Sequence, residues 1–311
     1  MPLPELFRNR IALPVIGAPM FLVSHPELVI AQCKAGIPGA FPTLNARPLE
    51  VLDEWLARIT EALSADPKAA PFGVNLIMHK SNTRLAEDTE LTIKYKVPFV
   101  ITSVGNPSPM VEHVHSYGGL VFHDVTTIKH AQKAIDAGVD GLILVCTGAG
   151  GHAGFLSPFA FLHEVRKIFD GTIILAGAIS TGRHIKAAIV MGADFAYLGT
   201  RFIATTEAHA VDEYKNMIVS SAAADTVHTP YFSGVPANYL KPSLVAAGYD
   251  PDNLGINPDG GSLSIDGGEK SGPRPWKDLW SAGQGIGAIE DVPSVAELVA
   301  NLKKDYDATK V

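Results

Sequence analysis

The chain has 311 residues, 47% hydrophobic and 18% charged, a length for one large domain or two ordinary ones and a composition far from disorder. Its 25 Lys+Arg against 32 Asp+Glu give a net charge of −7, and no basic run could neutralise a phosphate backbone, so nucleic acid is not an expected partner. Cys33 and Cys146 are too few for a disulfide framework or a Cys-rich metal site, which suits a reducing compartment. The N-terminus carries Pro and charge before any apolar stretch, and no run of about 18 apolar residues occurs. A cytoplasmic protein with neither membrane partner nor metal is expected.

Short runs rich in Val, Ile, Leu and Phe, without clean polar alternation, mark strands buried on both faces, as parallel strands under helices must be. The run at 15–18 precedes a helical pattern at 25–36, and the run at 39–43 precedes another at 48–65. Runs at 72–77, 99–104 and 120–125 follow, the last leading into a helical pattern at 127–138. The run at 142–147 precedes a helix at 159–169, the run at 173–178 a helix at 181–194, and an eighth run lies at 196–200. Repeated βα units give an open doubly wound sheet or a closed barrel, and eight strands favour an α/β fold of the TIM (β/α)8 barrel type. More chain follows the eighth run than one closing helix needs. The expected organisation is a barrel over 1–204 and 276–311, with a smaller inserted module, mainly helix and loop, at 205–275 on the substrate side. The Gly/Pro/Asp-rich stretch at 248–276 lacks periodicity and predicts a long loop of lid or binding type.

A βα barrel builds its active site from the loops at the C-terminal ends of its strands, so the residues ending each run carry the most weight. These are Ala18-Pro19-Met20, Asn75, His123-Asp124, the segment 147–154, Gly177-Ala178 with the following Ile-Ser-Thr-Gly, and Gly199-Thr200-Arg201. Glycines after the seventh and eighth strands suit a phosphate held by backbone N–H groups, and suit ordinary tight turns equally well. The segment 148–154 surrounds His152 with glycines, an entropically costly composition unless the backbone bends sharply or touches a ligand. An imidazole with an ordinary pKa of about 6.5 can act there as a general base with little tuning. The same segment matches G-x-G-x-x-A, but no acidic residue for a ribose hydroxyl follows at the next strand tip. No Gly-x-Ser-x-Gly elbow, Walker-type lysine loop or His-Glu-x-x-His is present, and Cys146 among apolar neighbours reads as an inert thiol.

Ala18-Pro19-Met20, Pro71-Phe72-Gly73-Val74-Asn75, Ala149-Gly150-Gly151-His152-Ala153-Gly154, Gly199-Thr200-Arg201-Phe202 and Ser281-Ala282-Gly283-Gln284-Gly285-Ile286-Gly287 occur in that order. Together they resemble the FMN-dependent nitronate monooxygenases, along nearly the whole chain. The resemblance implies noncovalent FMN, with Ala18, Pro19, Met20 and Asn75 along the ring, and Gly150 and Gly151 near the ring and ribityl chain. It places Gly177, Ala178, Gly199 and Thr200 around the phosphate, and Gln284 and Gly287 over the flavin. His152 matches the family's catalytic histidine, as base or nitronate-orienting group. The implied reaction oxidises an alkyl nitronate or nitroalkane with O2 to a carbonyl compound and nitrite. The alternative is an FMN-dependent NAD(P)H reductase with a quinone or enoyl-thioester acceptor. A non-redox phosphate-binding barrel would share the architecture. A homodimer is compatible with the resemblance. The chain departs from it twice: Asp124, in the cofactor set, stands where many relatives have Lys, and Gly177-Ala178 replaces Gly-Gly. A carboxylate at 124 would repel charge developing on reduced flavin, so it must turn away or be compensated.

Overall fold

The computed structural model describes residues 4–255 and 273–310. The apolar runs of the sequence form the barrel strands β1 (Val15–Gly17), β2 (Ala40–Pro42), β3 (Gly73–Ile77), β4 (Phe99–Ser103), β5 (Leu120–Val125) and β6 (Gly141–Val145). A short strand β7 (Gly151–His152) lies outside the barrel, which β8 (Thr172–Ala176) and β9 (Phe195–Leu198) complete. All eight barrel strands are parallel, in the order β1-β9-β8-β6-β5-β4-β3-β2. The ring nearly closes where the Gly17 N–H donates to the Pro38 carbonyl at 2.8 Å. At that seam a Cβ on Gly17 or Gly39 would lie 2.5 or 2.6 Å from the buried Gln32 amide.

Helices α1 (Pro26–Lys34), α2 (Leu49–Ser64), α3 (Leu85–Lys94), α4 (Ser108–His115), α5 (Ile128–Asp136), α6 (Pro158–Arg166), α7 (Gly182–Val190) and the short α8 (Thr200–Ile203) separate and follow the strands. Several starts are written in the side chains: Thr127 and Thr181 accept the backbone N–H groups of His130 and His184 at the heads of α5 and α7. Inside the barrel, Ile16, Phe99, Ile101, Phe122, Ile143, Ile174 and Phe195 form one apolar cluster. Phe7 plugs its N-terminal end, with ring centroids 5.1 Å from Phe195 and 5.9 Å from Phe99. Each fully buried ring of this kind contributes about 1.5–3 kcal/mol, and aromatic pairing adds about 0.5–1.5. That end is therefore sealed, and chemistry is left to the other.

The described part of the insertion contains α9 (Asp212–Val219), the antiparallel pair β10 (Thr226–Thr229) and β11 (Ala237–Leu240), and α10 (Lys241–Ala246). No local pattern in the sequence separates this two-stranded ribbon from loop. Strand β11 also pairs antiparallel with β7, matching Ala237 to His152 and Asn238 to Gly151. Residues 256–272 of the expected loop lie outside the described residues. The C-terminal α11 (Val295–Ala308) starts on a Ser294/Glu297 capping box and packs on α7. Among the described residues, no helix is long and apolar enough to cross a membrane and no group of side chains could hold a metal ion.

Candidate active site

The open end of the barrel is rimmed by glycine-rich turns that the C-terminal segment crosses. Gly148, Gly151 and Gly177 adopt φ of +84°, +69° and +130°, a region where a Cβ would clash with the adjacent carbonyl. Ala178 adopts φ +56° despite its Cβ, so the second departure from the family pattern carries backbone strain. The Ala178 and Gln284 N–H groups both donate to the Gly148 carbonyl, at 3.2 and 2.9 Å, and a Cβ on Gly150 would come 2.9 Å from the Gly283 nitrogen. Thr200 Oγ1 accepts the Gly283 N–H at 2.9 Å, and Arg201 ties the same segment down through Asp291. A Cβ on Gly199 would lie 3.5 Å from Ala18 Cβ and 3.7 Å from Met20 Sδ. The structure thus gathers Gly150, Gly177, Ala178, Gly199, Thr200 and Gln284 at one rim, with Ala18 and Met20 beside it. Pro19 follows β1 between them, half-buried, while Gly287 faces Ala222 and Ala223 of the insertion.

His152 is placed by strand pairing rather than by a flexible loop. The Gly151 N–H donates to Ser281 Oγ at 2.6 Å, the Ser281 hydroxyl donates to the Asn238 carbonyl, and Asn238 Nδ2 donates to the Ala149 carbonyl at 2.7 Å. The imidazole meets Trp276 edge-on, with centroids 4.9 Å apart and an interplanar angle of 84°. Its Nε2 lies 3.2 Å from Ser233 Oγ, and Ser233 Oγ donates to the Val235 carbonyl at 2.9 Å. With its one hydrogen spent on a carbonyl, that hydroxyl can only accept from the ring, which assigns the hydrogen to Nε2 and the lone pair to Nδ1. Burial pulls the imidazole down to about 4, so the ring is neutral at neutral pH, with a free lone pair and a basicity below that of an ordinary imidazole.

Beneath the rim lies a polar layer. Asn75 Nδ2 donates to the Ile101 carbonyl at 3.2 Å and to Ser103 Oγ at 2.8 Å, and Ser103 Oγ donates to Asp124 Oδ2 at 2.5 Å. Asp124 Oδ1 and the Tyr197 hydroxyl are buried with no hydrogen-bond partner among the described residues. Burial raises the Asp124 carboxyl to about 6, with Ser103 opposing, and the Tyr197 phenol is pushed well up by burial and then by Asp124. Asp124 does not turn away: it faces inward, in register with Ile143, and with its carboxyl raised to about 6 it is half-protonated near that pH. Its neighbour His123 points outward, Nδ1 lying 2.8 Å from Thr102 Oγ1. Cys146 is buried and its thiol is pushed up to about 12, so it is inert.

Ser103, Tyr197, Ser233 and Trp276 were not among the expected site residues. Ser103 and Tyr197 had a signal in the alternation Phe99, Ile101, Ser103 and Phe195, Tyr197, whose polar member falls at the mouth. Ser233 and Trp276 reach His152 from the insertion and its return, across 81 and more than a hundred residues, and no local pattern announces them.

A (β/α)8 barrel sealed at one end, whose open end carries a glycine rim, a neutral half-buried histidine and an ionisable floor, defines a barrel enzyme with its chemistry at the strand C-termini. The nitronate monooxygenase family profile matches residues 83–305, and the chain belongs to that family. It is 30% identical over 247 residues, 78% of this chain and 67% of the relative, to a (3aS,4S,5R,7aS)-5-hydroxy-7a-methyl-1-oxo-octahydro-1H-indene-4-carboxyl-CoA dehydrogenase of Mycobacterium tuberculosis. A nitronate monooxygenase of Paraburkholderia phytofirmans is 27% identical, with 94% of this chain and 92% of the relative covered. Among solved structures, a nitroalkane oxidase of Streptomyces ansochromogenes superposes with a TM-score of 0.79 at 23% identity, covering 97% of this chain and 98% of that one, and carries the same fold. The chain is an oxidoreductase of this family.

Proposed function

We propose that the protein is an FMN-dependent enzyme that oxidises alkyl nitronates with O2, giving a carbonyl compound and nitrite, with His152 as base or nitronate-orienting group. The observation that carries this reading is the neutral His152, its tautomer set by Ser233 and its ring braced by Trp276, beside a glycine rim. The residues present fit a flavin mononucleotide. Gly150 and Gly177 let the rim turns pack against the backbone of Gly283 and Thr147, and Asp124 Oδ1 with the Tyr197 hydroxyl offers unpaired polar atoms on the floor. Gly177, Ala178, Gly199 and Thr200 would hold the phosphate. Thr200 accepts from Gly283, which leaves its own hydroxyl hydrogen to give to an anion. Ala18, Pro19, Met20, Asn75, Asp124, Gly150, Gly151, Gln284 and Gly287 would surround the remainder.

The bound flavin supplies the electron transfer to O2. His152 takes the α-proton of a neutral nitroalkane on Nδ1, or, once protonated, orients an anionic nitronate. Ser233 keeps the second nitrogen as a donor, and Trp276 braces the imidazole through a near-perpendicular ring contact. Purified protein is expected to be yellow, to release FMN on denaturation and to consume O2 with alkyl nitronates. His152→Ala is expected to keep FMN while turnover falls about 10²- to 10⁴-fold with a neutral nitroalkane. Full activity in that variant, or a colourless protein that cannot be reconstituted, overturns the reading.

The NAD(P)H reductase reading keeps its place because a relative at 30% identity is named a dehydrogenase. Anaerobic mixing with NADH or NADPH separates the two: rapid flavin bleaching supports the reductase, its absence the monooxygenase.

A further inference from the structure

The polar layer under the mouth has a direction that fixes where a hydrogen can sit. The Ile101 carbonyl is an acceptor only, so the atom of Asn75 facing it is the amide nitrogen. That nitrogen also donates to Ser103 Oγ, so the hydroxyl's own hydrogen must go onward, to Asp124 Oδ2. Oδ2 is thereby committed to accepting. If the carboxyl bears a hydrogen, it bears it on Oδ1, the oxygen buried without a partner among the described residues.

We propose that Asp124 is a proton-bearing acid built into the barrel floor, holding its hydrogen on Oδ1 so that negative charge arriving in the mouth is met by a proton rather than by a fixed cation. The groups that face it are Ser103 on β4, Asn75 on β3, Ile143 on β6 and Tyr197 on β9, of which Tyr197 alone can ionise. Burial and the Ser103 hydrogen bond are what act on its acidity, and no Lys, Arg or His among the described residues takes part. A fixed cation would leave the floor insensitive to pH; an acid with a pKa of about 6 does not. Asp124 acts in this role on the bound group itself, through its Oδ1 hydrogen. When electron density arrives above it the Oδ1 hydrogen shifts toward that charge, Oδ2 keeps the Ser103 bond, and the proton returns when the charge leaves. The inference deepens the flavin reading, and rests on it only for the ligand above the floor.

The test uses the 311-residue chain, stripped of flavin and reloaded with FMN, titrated from about pH 5 to about pH 8 in wild type, Asp124→Asn and Ser103→Ala. In flavin-free protein the readout is the infrared carbonyl band of a protonated carboxyl, taken as a difference against Asp124→Asn. With FMN it is the flavin midpoint potential and visible spectrum. Wild type is expected to show one protonation inflection, near 6 in the flavin-free protein and at higher pH with FMN bound. FMN should bind about tenfold more tightly on the acid side for each unit by which bound flavin raises that pKa. Asp124→Asn puts an amide NH2 where Oδ1 carried its hydrogen, so its inflection should vanish and its flavin should keep wild-type acid-side properties at every pH. Ser103→Ala removes a donor that favours the carboxylate, so the inflection should move to higher pH, a readout that stands if Asp124→Asn does not fold. An inflection surviving in Asp124→Asn, or moving down or not at all in Ser103→Ala, overturns the proposal. If no flavin binds, the function proposed above fails, while the infrared titration still decides this one.

Discussion

The Ser233 hydroxyl sets which nitrogen of His152 is basic, and its influence is separable from that of the imidazole. Ser233→Ala leaves Nε2–H without its acceptor and lets the ring exchange tautomers, while the β7 and β11 pairing that places the residue is untouched. One neutral hydrogen bond is worth about 1 kcal/mol, so kcat is expected to fall about 3- to 10-fold with FMN affinity unchanged. A fall in FMN affinity as large as the fall in kcat would refute the assignment. His152 itself was legible in the sequence because glycines crowd it at the end of a strand. Its partner was not, since Ser233 comes near only when the insertion folds back. Asp124 was legible as a departure, but a lone carboxylate in a sequence is charged by default; only burial among Ser103, Asn75 and Tyr197 makes it an acid near neutrality.

At the scale of elements, the barrel strands were readable because burial on both faces strips them of polar residues. The β10 and β11 ribbon was not, since its members are four residues each and one face of Thr226–Thr229 is open to solvent. Its stability comes from pairing with β7, a long-range contact without local periodicity. The closing of the ring by α7 and α11 gives a sharper case. A Cβ on Gly182, the first residue of α7, would lie 2.2 Å from the Leu302 carbonyl oxygen and 2.3 Å from the Tyr306 nitrogen. Both are backbone atoms of α11 and cannot rotate aside. Gly182→Ala is therefore expected to cost about 3 kcal/mol or more through overpacking, even though alanine favours helix. The check is the urea midpoint, which should drop with an unchanged m-value. A variant as stable as wild type would mean that α11 does not seat on α7 as described.

The whole molecule shows the same burial as a response to acid. His25, His123 and His152 are each pulled down to about 4, in every case chiefly by burial; at His25 the stacked His209, 3.8 Å away, adds to it. An unfolded histidine titrates near 6.5, so between about 6.5 and 4 the unfolded chain binds more protons and stability falls as pH drops. Asp124 has the opposite sign: raised to about 6 in the fold against about 3.9 unfolded, it takes up a proton early and favours the fold in the same window. Of the groups displaced most, three histidines pull one way and Asp124 the other, so net acid destabilisation is expected, measured as a lower urea midpoint at about pH 5 than at about pH 7. His123, 6% exposed and outside the proposed catalytic set, isolates the effect. At about 1.4 kcal/mol per pKa unit, with about 1.5 units between its unfolded pKa and pH 5, it accounts for up to roughly 2 kcal/mol of the loss. His123→Gln, which can still donate to Thr102, should flatten the slope, while Asp124→Asn, deprived of its compensating proton, should steepen it. A wild-type protein equally stable at both pH values, or the two variants changing the slope in the same direction, would show that these groups are not buried as the barrel places them.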